Sequence, residues 1–306
     1  MIKFIKKIAL FFALMAVIDV ACGFGFNVLR RNAKGGDTHK NYYIAEECCD
    51  DILILGSSRA ARHYDPKVLE DSLGMTCFNC GEPGCGIITA YARYQMIATR
   101  HKPKIVLYEV SPLYDYYILD DNSKYLGRVR QYADKAPVRK LFLELGDDLE
   151  GLRLLSNMYI NNSFLFHNVI DCLMDDGNYK GFKPLYGTLK NDSKNSPKGN
   201  NNWQIDSVKY SYLEDLIRVL KIDGVNFCFM VSPRCIGKDE AALQDSDYVP
   251  IADLCKHYGV PFINHTYLDS ISNRREFFQD FGHMNQDGAR AYSIVASQDL
   301  KSIIMK

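Results

Sequence analysis

Three residues from opposite ends of the chain carry the types and spacing that nucleophilic chemistry needs. Ser58 lies in Ile54-Leu55-Gly56-Ser57-Ser58-Arg59, while Asp280 and His283 lie in Asp280-Phe281-Gly282-His283-Met284-Asn285. A serine hydroxyl is a weak nucleophile at neutral pH and needs a base within hydrogen-bond reach to take its proton as it attacks. Imidazole suits that role because its ordinary pKa of about 6.5 lets it accept and return a proton. A carboxylate on the other ring nitrogen fixes the tautomer and stabilises the imidazolium. Attack on an ester carbonyl also creates an oxyanion, which needs preorganised N–H donors.

The surrounding patterns predict how such residues are positioned. The apolar, β-rich run from Asp51 to Gly56 reads as a buried parallel strand, so Ser58 falls just past its end. That is the carboxyl edge of the sheet, where open α/β folds hold ligands. Asp280 and His283 precede Asn285-Gln286-Asp287-Gly288-Ala289, and Ala291, Tyr292, Ile294 and Val295 then begin an amphipathic helix. Further strands are expected near 75–79, 104–110, 225–231 and 260–264, with helices near 66–73, 86–101, 209–222, 247–258 and 286–303. Strands separated by helix-length segments predict an α/β fold with a parallel sheet covered on both faces.

One stretch, at about 114–207, breaks this alternation. It holds helical patterns over Val138–Leu145 and Leu152–Met174, followed by a loop rich in Gly, Asn and Lys at 191–202. Because it leaves the carboxyl end of the third strand, it is expected to act as a substrate-selecting lid.

The segments around Ser58 and His283, with their order and separation, resemble the SGNH/GDSL hydrolases. The resemblance implies a three-layer, flavodoxin-like domain over 50–306, with Ser58 as nucleophile, His283 as base and Asp280 as its orienting acid. Ser57 stands where the family usually has Asp. Phe78-Asn79-Cys80-Gly81-Glu82-Pro83-Gly84 is similar to the family's second block, which makes Gly84 an oxyanion donor beside the Ser58 amide. After the third strand, Lys104 to Val110, the family usually reads G-x-N-D; this chain has Ser111-Pro112-Leu113-Tyr114-Asp115 and lacks the Asn. Ser111 is the nearest replacement donor. Membrane-anchored relatives that act on envelope polymers also depart from the standard blocks. The activity implied is removal of an O-acyl group, acetyl foremost, from a carbohydrate or envelope polymer through an acyl-serine. Transfer of that group to a sugar hydroxyl, or carbohydrate binding without turnover, are the alternatives. No cofactor or metal is expected. Ser111, Tyr114, Asp115 and Arg234, which follow the third and fourth strands, are expected to line the substrate cleft.

Plainer roles exist for the same residues. Ser58 would serve as a helix cap, Asp280 as a loop cap, His283 as a partly buried histidine and Gly84 as a turn glycine. His63, on a helix starting at Arg59, is expected to point away from the sheet edge.

The chain's 37 basic and 37 acidic side chains balance, so no global charge points to nucleic acid. Residues Ile8 to Ile18 are all apolar, and the run resumes past Asp19 to Leu29. At about 1.5 Å per residue, roughly 22 such residues cross a hydrocarbon core about 30 Å thick. An uncleaved membrane anchor over 1–30 is expected, with a polar linker over 31–49. Asp19 stands where a lipobox ending at Cys22 would want Leu, and Asp19-Val20-Ala21 makes a poor cleavage site. Lys3, Lys6 and Lys7 on one side and Arg30, Arg31 and Lys34 on the other leave charge nearly neutral on orientation. Resemblance to envelope-facing relatives puts the domain outside the cytoplasm, in the periplasm. The ten cysteines show no regular framework, and Cys77-x-x-Cys80 has no second CxxC to complete a zinc site.

Overall fold

The computed structural model describes residues 1–190 and 203–304, so the Asn-rich loop at 191–202 lies outside the described residues. The strands are β1 (Ile52–Gly56), β2 (Cys77–Asn79), β3 (Ile105–Glu109), β4 (Asn226–Val231) and β5 (Phe262–Asn264). The first helices are α1 (Ile2–Arg31), α2 (Gly36–Tyr42), α3 (Ser58–His63), α4 (Pro66–Leu73), α5 (Ile87–Ala98) and α6 (Pro112–Asp115). Four short helices follow: α7 (Ala136–Leu145), α8 (Glu150–Arg153), α9 (Asn157–Asn161) and α10 (Leu165–Leu173). The rest are α11 (Ser207–Ile222), α12 (Lys238–Gln244), α13 (Val249–Tyr258), α14 (Asp269–Ser272) and α15 (Gln286–Ile304). These elements form two compact units, Met1–Glu47 with Leu126–Gly177, and Cys48–Tyr125 with Asn178–Lys306.

The larger unit is an α/β layer structure. Its five strands are all parallel, in the order β2-β1-β3-β4-β5. This is the doubly wound, flavodoxin-like order, and it reverses direction between β1 and β3, the point at which such sheets hold ligands. Side chains alternate along each strand. Ile52, Ile54, Ile105, Leu107, Cys228 and Met230 pack with Tyr292, Ala296 and Leu300 of α15. The opposite face is covered by α5 and α11, which contact β1 and β4 respectively. Cover on both faces explains why β1 and β3 are apolar and buried along their length.

Local chemistry sets the helix limits. Asp65 accepts the Lys67 amide, Pro66 occupies the first turn and Gly74 closes α4 in the left-handed region. Asp206 accepts the amides of Val208 and Lys209 and so starts α11.

The smaller unit departs from a simple anchor and linker. Its α1 is 30 residues long and apolar enough, by length and composition, to cross a membrane. Residues 31–49, expected as a polar linker, hold α2 and a π-helical turn at Tyr43–Glu47, with Thr38, Lys40, Asn41, Ile44 and Ala45 buried. The helical pattern over Leu152–Met174 breaks into short pieces because Ser156 caps α9, its hydroxyl accepting the Tyr159 amide. The insertion is also divided. Leu126–Gly177 belongs to the unit containing α1, and only its flanks belong to the sheet unit.

Candidate active site

The turn after β1 depends on Gly56. Its φ is +128°, and a Cβ there would lie 2.4 Å from the Glu109 carbonyl oxygen on neighbouring β3. Glycine therefore lets β1 run close against β3 and then turn sharply, so that α3 starts at Ser58.

The second contributor is a pinched loop before α15. A bridge between Phe278 and Met284 closes it, and the Gln279 amide donates to the His283 carbonyl at 3.0 Å. Inside the loop, Asp280 Oδ1 accepts the amides of Gly282 and His283, both at 2.8 Å. Asn285 joins this loop to α15 by accepting the Gly288 amide at 3.0 Å.

These two segments meet. Ser58 Oγ lies 2.8 Å from His283 Nε2, and His283 Nδ1 lies 3.1 and 3.0 Å from the two Asp280 oxygens. Asp280, an acceptor, fixes the ring proton on Nδ1 and leaves Nε2 to accept from the serine hydroxyl. Burial by itself raises the Asp280 carboxyl, but hydrogen bonds from the His283 ring and from two amides hold it below the ordinary range. The arrangement is thus a hydroxyl, an imidazole and an ionised carboxylate in series.

Beneath it lies a buried polar network in which His63 takes a different place from the one expected. The helix begins at Ser58, and His63 is fully buried with its ring centroid 6.1 Å from that of His283. Its Nδ1 donates to Ser232 Oγ at 2.7 Å, and its Nε2 accepts the Met284 amide at 3.0 Å. Ser232 Oγ in turn donates to Glu109 Oε1 at 2.8 Å. Burial, then the neighbouring His283 and Arg59, push the His63 pKa well below its ordinary value. His63 is therefore a neutral strut between the end of β4 and the backbone beside His283. Glu109 also pairs with Arg59 at 3.1 Å and accepts from the Tyr64 hydroxyl. Burial raises the Glu109 carboxyl, and those partners oppose the rise.

The Ser58–His283 pair opens into a cleft of about 370 Å³ at the carboxyl edge of the sheet. Ser111, Tyr114 and Arg234 line it, together with Arg59, Tyr117, Trp203, Asp247 and Tyr248. Trp203 stacks on Tyr117 with ring centroids 6.3 Å apart. Arg234 Nη1 donates to Gln244 Oε1 at 2.6 Å. Arg234 Nε and Arg59 Nη1 are buried with no hydrogen-bond partner among the described residues.

Asp115, expected in the cleft lining, and Gly84, expected as an oxyanion donor, are elsewhere. Asp115 is 1% exposed and turned inward, accepting from the Tyr108 hydroxyl and the Ser111 amide, each at 2.6 Å. It shapes the loop after β3 without lining the cleft, because its carboxyl group is turned inward to those two donors. Gly84 is exposed at φ +73° and lies outside the cleft wall. The buried Glu82–Arg93 ion pair, at 2.6 Å, draws the start of that turn inward and leaves Gly84 at its outer side.

Glu109, Ser232, Tyr248 and Trp203 were not legible as site residues. For Glu109 a signal existed, since a carboxylate closing the apolar run Ile105–Glu109 must find partners when buried. Trp203 offered none. All ten cysteines are unbridged; Cys77 packs in the core and Cys80 faces Cys48. Among the described residues, no three His, Cys, Asp or Glu side chains converge on a metal-binding geometry.

No family model and no curated protein matches the chain. Among solved structures, it is similar to a proposed acylhydrolase from Bacteroides fragilis NCTC 9343. The identity is 10%, over 85% of this chain and 93% of that one, with a TM-score of 0.40, a likeness too distant to bear on the chemistry.

Proposed function

We propose that the chain is a serine hydrolase of acyl esters, held at the membrane by α1 with its α/β domain outside the cytoplasm. Its substrate in this reading is a carbohydrate or other envelope polymer carrying O-acyl groups, acetyl foremost. The observation that carries the reading is the 2.8 Å contact between Ser58 Oγ and His283 Nε2, with Asp280 on the far ring nitrogen.

In the first step His283 takes the hydroxyl proton as Ser58 Oγ attacks the ester carbonyl. The tetrahedral intermediate collapses, the sugar oxygen leaves, and His283 returns the proton to it. Water activated by the same imidazole then attacks the acyl-Ser58 ester, releasing the acid and restoring the serine. The Ser58 amide is one oxyanion donor. Ser111, which lines the cleft, is better situated than Gly84 to supply a second. Removing one such donor typically costs about 10²–10³ in rate. The aromatic wall of Tyr114, Tyr117 and Trp203 suits a sugar face, and Arg234 suits an anionic substituent.

The test is labelling of the purified protein with a fluorophosphonate probe. Labelling of the wild type that disappears in Ser58→Ala supports the reading; labelling that persists in Ser58→Ala overturns it. Acetate release without acceptor sugar indicates hydrolysis, whereas an acetylated acceptor formed without free acetate indicates transfer. The exposed position of Gly84 favours one other reading, a carbohydrate-binding protein without turnover. It predicts sugar binding with no Ser58-dependent labelling at all.

A further inference from the structure

Helix α10 is amphipathic and turned inside out. Leu165, Phe166, Val169, Ile170 and Leu173 share one side at helical spacing, and all are exposed, Phe166 by 80% and Leu173 by 74%. The other side carries Asn168, Asp171 and Cys172, and it is this polar side that faces the unit's own interior. Asn168 is fully buried and accepts from the Thr38 hydroxyl at 3.0 Å. The Asp171 side chain accepts the Thr38 amide at 3.0 Å, and its carbonyl accepts the Lys34 amide at 2.7 Å. Cys172 Sγ donates to the Leu29 carbonyl at 3.0 Å. Even Gly36 fits this contact, since a Cβ there would lie 2.2 Å from the Asp171 carboxylate.

Those bonds lock the orientation of α10, so its apolar side faces outward by construction. In water such an arrangement is the reverse of what burial of apolar surface favours. The medium against α10 is identified by its neighbour. Both α9 and α10 pack on α1, whose Phe11, Phe12, Leu14 and Val17 are themselves exposed. Asp19, the polar break in the apolar run, accepts from Ser156 Oγ, the amides of Asn157 and Met158, and Asn157 Nδ2, at 2.7 to 3.0 Å. The start of α9 thereby satisfies the one carboxylate in α1. The exposed apolar set continues through Leu152, Leu155, Met158 and Met174.

We propose that the apolar side of α10 is seated in the acyl-chain border of a lipid bilayer, making the inserted segment a second membrane contact beside α1. Amphipathic helices bind bilayers in this way, with the apolar side below the headgroups. The inference rests on α1 as a membrane span.

The single tryptophan of the chain, Trp203, makes a direct test available. In a Trp203→Phe background, Phe166→Trp, Leu173→Trp, Phe12→Trp and Ile222→Trp are each placed in the full chain and reconstituted into phosphatidylcholine vesicles with brominated acyl chains. Ile222, 83% exposed in the sheet unit, is the aqueous control. Tryptophan at 166 or 173 is expected to lose emission to the bromines as it does at 12, while tryptophan at 222 keeps it. Quenching at 12 without quenching at 166 and 173 overturns the proposal and leaves the anchor intact. No quenching at 12 overturns the anchor and the proposal together. Blue-shifted but unquenched emission at 166 and 173 means that protein, a second copy or a partner, covers the face, and also overturns it.

Discussion

Two histidines 6.1 Å apart, His283 and His63, show how surroundings assign a role to the same side chain. His283 is 26% exposed, has a carboxylate on Nδ1 and meets a serine hydroxyl at the cleft with Nε2. His63 is wholly buried, and its Nε2 accepts a backbone amide that has no other proton state to offer. Both rings touch a serine, yet Ser232 is backed by buried Glu109 whereas Ser58 opens onto solvent-accessible space. An imidazole that exchanges protons needs one nitrogen facing the reactant. One that only holds structure has both nitrogens committed.

The largest effects should fall on the cleft side of this comparison. Ser58→Ala or His283→Ala is expected to lower ester turnover by roughly 10⁶-fold, with the melting temperature close to wild type. Chromogenic acetate hydrolysis and thermal melts check both halves, and a large loss of stability would put His283 in the same structural class as His63. Asp280→Asn is expected to cost roughly 10⁴-fold, because an amide favours the wrong tautomer. Activity near wild type in that variant would reduce Asp280 to a loop cap for the amides of Gly282 and His283.

On the buried side the expected signature is reversed. His63→Ala removes the acceptor of the Met284 amide and the donor to Ser232, and should cost about 3 kcal/mol of stability. Denaturant unfolding reads this directly. Full stability combined with abolished turnover would break the comparison, since His63 would then act on substrate.

A smaller effect lies in pH. Unfolded, His63 takes up a proton near its ordinary value of about 6.5; folded, burial first and then His283 and Arg59 delay that uptake to well below it. Within that window the unfolded chain binds more protons, so this contribution to stability falls as pH falls. Asp115 works in the opposite sense. Burial lifts its carboxyl to about 7, so the stability it contributes is present at low pH and lost as pH rises through about 7. His63→Gln should flatten the acid loss of stability and Asp115→Asn should steepen it. An unchanged slope in His63→Gln, followed by melts from pH 7 downward, would contradict a neutral buried ring.

Part of this organisation is visible without coordinates. The apolar runs at β1, β3 and β4 announce themselves because strands covered on both faces must be apolar throughout, and the helix-length segments between β1 and β2, β2 and β3, and β4 and β5 favour parallel pairing. Gly56 followed by Ser57 and Ser58 marks a strand end, and the Asp280-to-His283 spacing is local enough to read as one loop. The edge strands β2 and β5, which pair on only one side, are shorter than the stretches 75–79 and 260–264 where strands are expected.

What composition and spacing determined, then, is the α/β class, the apolar N-terminal helix and the identity of Ser58, Asp280 and His283 as a set worth placing together. Tertiary structure alone decided that His63 turns toward Met284, that Asp115 turns inward, that Gly84 turns outward and that α10 faces its polar side in. The reason is physical. Strand and helix periodicity are properties of neighbours in the chain, but the direction of a buried polar group depends on which donor or acceptor the fold brings opposite it. Thr38 and Asn168, 130 positions apart, carry no mutual signal until folding makes them partners.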